Sequence, residues 1–183
     1  MDMPRTRIAA MSLLSIIFVL VSTLVGVSGA QATGPDASTP SPAAATDEST
    51  LAAVFPEGLP VGAVMIDTDS IALDGGAVIL NLGPTALSDC PSNWVCLWHD
   101  SQFSGRMLQF QECCQWQNLS DYGFDDQMSS WANKRDFDAR WAYLPNGGGT
   151  VRCMDSHSNN SWVGNTDNDK ASSIRILDTD GAC

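Results

Sequence analysis

The sequence is short of positive charge, of histidine and, after Val27, of long apolar runs. Nine Lys and Arg stand against 21 Asp and Glu, giving a net charge of -12. A surface so acidic repels nucleic acid and anionic membranes and welcomes cations, divalent ones included. Only two His are present and no C-x-x-C unit occurs, which disfavours a structural zinc site. There is no G-x-S-x-G elbow and no H-E-x-x-H pair. His99 and His157 stand in polar, turn-rich surroundings and read as surface residues rather than catalytic bases. A non-enzyme is therefore expected. No helical periodicity of useful length is found, and after Val27 no apolar stretch approaches the length that spans a bilayer.

What is present divides the chain into four parts. Arg5 and Arg7 precede an apolar run from Ile8 to Val27, and small residues come next at Ser28, Gly29 and Ala30. That order reads as a signal peptide, 1–30, and implies a secreted protein with no membrane attachment once the signal is removed. A retained anchor is the rival reading. Residues 31–60 are rich in Ala, Ser, Thr, Pro and Asp and cannot bury a core, so a disordered linker is expected there. Residues 61–66 and 77–82 are β-rich runs separated by a stretch ending in Asp74-Gly75-Gly76, which suggests a β-hairpin within 61–88. A lone hairpin is rarely stable, so it either docks on the C-terminal domain or serves as a pro-segment.

The segment 89–183 carries short strands at even spacing. They are expected at 95–99, 106–111, 129–133, 140–144, 150–154 and 172–177, with one short helical turn within 116–122. Leu108 and Phe110 alternate with Gln109 and Gln111, and Ile174 and Ile176 share a face. The fold class is all-β, a sandwich or barrel. All six Trp fall between Trp94 and Trp162, mostly as core, with one or two free to meet a sugar or a partner.

All six cysteines lie here too: Cys90, Cys96, Cys113, Cys114, Cys153 and Cys183. Their even number in an exported domain argues for disulfides. Cys90 and Cys96 are close enough in sequence to pair across a short loop. The adjacent Cys113 and Cys114 are expected to take separate partners, with Cys153 and Cys183 available.

Two hexapeptides look alike. Asp125-Asp126-Gln127-Met128-Ser129-Ser130 and Asn168-Asp169-Lys170-Ala171-Ser172-Ser173 start 43 residues apart. A repeat at that distance marks a duplicated supersecondary unit. Each leads into a β-prone run. Asp, Asn and Ser favour turns in any case, but the doubled pattern also suits a hard cation. Calcium takes about six to eight oxygen ligands from carboxylates, amides, hydroxyls, carbonyls and water. One loop supplies too few, whereas two facing loops could share them.

The doubled pattern resembles the calcium signature of microbial βγ-crystallins. Trp98-His99-Asp100-Ser101-Gln102-Phe103-Ser104-Gly105 resembles the aromatic-x4-aromatic-x-Gly corner that opens their Greek-key motifs. A second motif begins near Trp141-Ala142-Tyr143-Leu144, with Asn146-Gly147-Gly148-Gly149 where an aromatic and a glycine would stand. The opening Cys90-Pro91-Ser92-Asn93-Trp94-Val95-Cys96-Leu97-Trp98 is more specific. With Phe103-Ser104-Gly105-Arg106 and Asp126-Gln127-Met128-Ser129-Ser130-Trp131-Ala132-Asn133, it resembles secreted actinobacterial proteins of the streptomycete metalloproteinase-inhibitor family, peptidase inhibitor family 36. The resemblance spans about 90–177.

It implies a βγ-crystallin-type sandwich of two Greek-key motifs and up to two calcium ions. Asp126 and Asp169 would give side-chain oxygens, Ser129 and Ser172 hydroxyls, and Gln127 and Lys170 backbone carbonyls. Asp125 and Asn168 would shape the loops or ligate. It further implies an extracellular protease, a metalloprotease included, as partner. No sequence feature marks the inhibitory loop, and 146–149 and 156–160 are the exposed candidates. The alternative is a calcium-stabilised structural or carbohydrate-binding module without inhibitory activity. Nothing in the sequence signals oligomerisation, so a monomer is expected.

Overall fold

The computed structural model describes residues 48–179. The expected signal peptide, the linker up to residue 47 and Cys183 lie outside them. The described chain begins with a helix, α1 (Glu48–Val54), and continues as eleven strands. The first six are β1 (Val64–Asp67), β2 (Ser70–Leu73), β3 (Val78–Asn81), β4 (Val95–Asp100), β5 (Ser104–Phe110) and β6 (Gln117–Asn118). The other five are β7 (Ser130–Asn133), β8 (Ala139–Leu144), β9 (Gly148–Met154), β10 (Ser158–Asn160) and β11 (Ser173–Ile176).

Two antiparallel sheets result. One runs β1-β2-β3-β5-β4-β7-β10, the other β6-β11-β8-β9. Their connectivity is a duplication. From β4 to β7, three strands share the first sheet and the third strand, β6, crosses to the second. From β8 to β11, three strands share the second sheet and the third strand, β10, crosses to the first. Each motif lends its third strand to the other, so neither half closes its sheet alone. This is the expected all-β sandwich of two Greek-key motifs.

Strand alternation sorts side chains onto two sides. In β4, Val95 and Leu97 face the space between the sheets with Leu108 and Phe110 of β5 and Trp141, Ile174 and Ile176 of the other sheet. Cys96 and Trp98 face outward, yet they are buried with Met107, Ala132 and Cys90. The segment before β4 covers that outer face. It is tied down by the Cys90–Cys96 disulfide and by the Lys134 ammonium, which donates to the carbonyls of Leu87 (3.0 Å) and Cys90 (2.5 Å).

Residues 61–88 are more than a hairpin. β1, β2 and β3 form a three-stranded meander, and β3 pairs with β5, so the meander extends the first sheet. Ile71, Leu73, Val78 and Leu80 are buried in the main core. The middle strand falls within the stretch read as a turn, because four residues between Asp69 and Asp74 give little periodicity to see. The expected linker is also structured from residue 48: α1 leads into Phe55, which is buried in the main core. Phe55, with Leu51 and Val54 packed against the same core, anchors a run that composition alone marks as coreless. β6 and β10 lie outside the expected strands, since Gln117-Asn118 and Ser158-Asn159-Asn160 carry no apolar alternation.

Cys113 and Cys114 bond each other, not separate partners. Cys114 adopts φ +79°, which turns the chain so that neighbouring side chains meet, and its N–H donates to the Ile176 carbonyl at 2.8 Å. Cys153 is disulfide-bonded as well. Among the described residues no helix is long and apolar enough to cross a membrane.

Candidate functional site

The two acid-and-serine loops lie where the motifs meet. Each comes after a third strand and enters a fourth, so the strand exchange brings them face to face. The Asp126 N–H donates to the Ala171 carbonyl (3.0 Å), and the Asp169 N–H donates to the Met128 carbonyl (3.2 Å). Residues 126 and 169 are equivalent in the repeat, as are 128 and 171. The pair of bonds is therefore reciprocal, as a local two-fold requires. Asp126 and Asp169 adopt φ +51° and +55°, a left-handed conformation that Asp and Asn tolerate better than most residues.

The serines brace the same assembly. The Ser129 N–H donates to the Trp98 carbonyl and the Ser172 N–H to the Ala142 carbonyl, both at 2.9 Å. The Ser130 hydroxyl donates to the Asp100 carbonyl (2.7 Å) and accepts from the Phe103 N–H (3.2 Å). The Ser173 hydroxyl does the same for the Leu144 carbonyl (2.8 Å) and the Gly147 N–H (3.0 Å). The last serine of each hexapeptide thus clamps the corner of its own motif, a role the sequence pattern did not assign.

Of the residues expected to ligate, Asp126 and Ser172 come together across the pseudo-two-fold, where the Ser172 hydroxyl donates to Asp126 Oδ1 at 3.3 Å. The Asn168 amide donates to Asp169 Oδ2 (2.6 Å), while Asn168 Oδ1 is buried with no hydrogen-bond partner. Ser129 is buried. Asp125 and Lys170 are exposed. The Gln127 side chain is held by Arg106, whose guanidinium also lies 5.6 Å from the Phe124 ring centroid. Burial holds that guanidinium below its ordinary pKa.

Among the described residues no group of three or more His, Cys, Asp or Glu could hold a metal ion. The side-chain donors on the two loops are carboxylate, amide and hydroxyl oxygens, including one buried and unpartnered amide oxygen. That donor chemistry fits calcium.

The corners differ. In the first, Trp98 and Phe103 meet edge to face with ring centroids 5.2 Å apart. Gly105 has φ +75°, and a Cβ there would come within 2.5 Å of the Asp100 carboxylate. In the second, Gly149 occupies the equivalent position with φ +73°. Gly147 stands in the place of Phe103, and a Cβ on it would come within 2.2 Å of the Trp116 indole. The aromatic surface at this corner thus comes from the other motif. Trp141 and Tyr143 stack beside it at 5.7 Å. Arg152 lies against Tyr143 and forms a two-pronged ion pair with Asp167, both contacts at 2.9 Å. Arg152 holds the Asp167 carboxyl below the usual carboxylate range, and Asp167 in turn raises the Tyr143 hydroxyl.

The proposed inhibitory segments also differ. The Asn146 N–H donates to Asn118 Oδ1 (2.8 Å), so the tip after Leu144 is exposed but braced. Residues 158–160 are not a free loop: they form β10, paired with β7. Of the six Trp, Trp162 is the large exposed one, whereas Trp98, Trp131 and Trp141 are buried.

Known proteins resemble parts of this chain. Residues 83–154 match the model of peptidase inhibitor family I36. That segment resembles the family's pattern. It opens just after the meander and runs from the first corner through β9, so the I36 pattern covers the whole first motif and the first hairpin of the second. No curated protein matches the chain. Among solved structures, a βγ-crystallin domain from Clostridium beijerinckii is 26% identical, covering 47% of this chain and 99% of its own, with a TM-score of 0.42. A βγ-crystallin domain from Flavobacterium johnsoniae is 24% identical, covering 49% and 97%, with a TM-score of 0.39. A structure described under the evolution of the eye lens βγ-crystallin domain fold is 19% identical, covering 54% and 95%, with a TM-score of 0.44.

Proposed function

We propose that the protein is an exported inhibitor of an extracellular peptidase, whose scaffold is stabilised by calcium held between loops 125–130 and 168–173. The I36 match over 83–154 carries the inhibitory reading. The disulfides suit an oxidising, extracellular setting. A braced surface loses little conformational freedom on docking, which favours tight binding. The tip around Leu144 has this character: it is exposed, apolar, and pinned by Asn118 and Ser173.

The reciprocal contact of the two loops supports calcium. Asp126 and Asp169 would contribute carboxylates, Ser129 and Ser172 hydroxyls, and Gln127 and Lys170 main-chain carbonyls, with Asp125 and Asn168 beside them. The ion would add the hard positive charge that balances these oxygens. The reciprocal main-chain bonds already hold the loops together without it. A carbohydrate-binding role has Trp162 alone as an exposed indole platform and is the weaker reading.

Titration of the purified protein against a thermolysin-like and a subtilisin-like enzyme tests the proposal. Stoichiometric loss of proteolytic activity is expected with one of them. Rapid digestion of the protein, with neither enzyme slowed, would refute inhibition. Calcium is tested separately by melting with the ion and with chelator: an identical transition in both would remove it.

A further inference from the structure

The disulfides differ in burial and in span. Cys90 and Cys96 are buried and six positions apart. Cys113 and Cys114 are neighbours, and both are exposed. A bond between neighbours closes almost no loop, so it takes little freedom from the unfolded chain and adds little to global stability. Its effect is local. It accompanies the left-handed backbone of Cys114 (φ +79°), which a residue other than glycine keeps only when its surroundings hold it there. The segment that leaves Cys114 braces the tip of the second corner. The Trp116 indole lies against Gly147, and Asn118 accepts the Asn146 N–H at 2.8 Å. The disulfide thus stands at the root of the short stretch on which residues 146 and 147 rest. Cys113 also lines a cavity of about 220 Å³ with Trp116, Gln117 and Asn118, which leaves room for a reactant beside its sulfur.

We propose that Cys113–Cys114 is a thiol-exchange site, and that its reduction by a dithiol releases the tip at 145–147. A thiolate of the dithiol attacks one of the two sulfurs. The S–S bond breaks, a mixed disulfide forms, and the freed cysteine thiolate takes a proton. A monothiol stops at this stage and is expelled again, because the freed thiol is held beside the mixed disulfide. The second thiol of a dithiol instead attacks its own tethered sulfur. The dithiol leaves as a cyclic disulfide, and Cys113 and Cys114 remain as thiols, two electrons and two protons having passed to the protein. Exposure directs the exchange here and away from the buried Cys90–Cys96 bond. Without the bond, Cys114 is free to leave its left-handed conformation, and the Trp116 and Asn118 contacts loosen with it. Any bearing on peptidase inhibition rests on the reading of the tip as inhibitory, whereas the exchange and the release do not.

Titration of the native protein with dithiothreitol, trapped by alkylation and mapped by peptide mass, tests the proposal together with residue-resolved amide exchange. Cys113 and Cys114 should be alkylated at about a tenth or less of the dithiothreitol concentration that opens Cys90–Cys96. On their reduction the Asn146 amide should exchange about tenfold faster. The Phe103 amide at the first corner, bonded to Ser130, should not change. Cys153 is exposed and disulfide-bonded too, so a variant carrying Cys113→Ser and Cys114→Ser assigns the effect. It should show fast Asn146 exchange from the outset and no response to dithiothreitol. Opening of both bonds at the same concentration, or an Asn146 amide unchanged after reduction, overturns the proposal. So does a variant that responds to dithiothreitol as the wild type does. Exchange quickened equally at Phe103 would make the bond a staple of the whole fold and overturn it as well. Peptidase titration of the reduced protein separates the two readings: full inhibition by a protein with a released tip keeps the exchange site and moves the inhibitory surface elsewhere.

Discussion

The two Greek-key motifs share one backbone plan and carry different chemistry. Their loops exchange the same pair of main-chain bonds, and their last serines clamp the same two corner groups. Yet the first loop reads Asp-Asp-Gln and the second Asn-Asp-Lys, and the first corner holds Phe103 where the second holds Gly147. What duplication preserves is the set of bonds that closes the sandwich, namely Asp126 to Ala171, Asp169 to Met128, and the two serine clamps. What it has let drift are the side chains that face solvent or fill space.

The sharpest way to break this equivalence is at the corner residue. Gly147→Ala places a methyl group within 2.2 Å of Trp116, in a backbone conformation of φ +78°. Left-handed strain of about 1–2 kcal/mol and overpacking of about 1–3 kcal/mol add to a loss of about 3 kcal/mol. At the matching position Phe103 already adopts φ +59° and packs on Trp98, so Phe103→Ala loses contact without meeting a clash. Urea denaturation of both variants should show Gly147→Ala as the more damaging. Equal losses would mean that Trp116 moves aside freely.

Calcium should expose the next asymmetry. An ion at 100-fold above its dissociation constant stabilises by about 2.7 kcal/mol. Asp126→Ala should abolish most of the calcium-induced rise in melting temperature, because its loop also carries Asp125 and its carboxylate contacts Ser172. Asp169→Ala should remove less, since Lys170 adds an opposing charge to that loop. Calorimetric titration of the two variants measures the ranking directly. Reversed ranking would place the tighter site on the second loop.

The serine clamps should behave alike. Ser130 and Ser173 are fully buried, and each satisfies one carbonyl and one N–H. Removing either hydroxyl strands two polar groups, at a cost of about 2 kcal/mol. Ser130→Ala and Ser173→Ala should therefore lower the melting temperature by similar amounts. A silent Ser173→Ala would show that the second corner finds substitutes.

Much of this was readable in the residues. Strands β5 and β11 show apolar alternation, β4 and β8 read as β-rich runs, and the doubled hexapeptide located both loops. The loops' mutual contact is a consequence of the duplication. Other features leave weaker traces. β2 is four residues long between aspartates, so its alternation is too brief to stand out from a turn. β10 is polar because it is an edge strand, paired on one side only. Phe55 ends a short apolar run, Leu51-Ala52-Ala53-Val54, inside a segment otherwise rich in small and polar residues, and that run is too brief to announce that it reaches the core. The Cys113–Cys114 bond depends on one left-handed residue, Cys114, which composition does not reveal. The serine clamps were hidden for another reason: serine is common in turns, and its partners at Asp100 and Leu144 are main-chain atoms some 30 positions away.

The smallest expected difference lies in acid. Asp167, bonded to Arg152 and Tyr143, belongs to the second motif, and its carboxyl is held below the usual range. A depressed folded-state pKa contributes stability that is present above the unfolded value, near 4 for aspartate, and is lost as pH falls through the folded value. The Arg152 side chain is 42% exposed, so solvent screens the ion pair and keeps the contribution modest. Melting temperature against pH should therefore fall slightly more steeply below about pH 4 for the wild type than for Asp167→Asn, with the two curves converging once the carboxylate is protonated. Added salt should narrow the gap at neutral pH. A gap that persists undiminished at low pH would show that Asp167 acts through packing, not charge, and the second motif's ion pair would then have no share in the difference between the two halves.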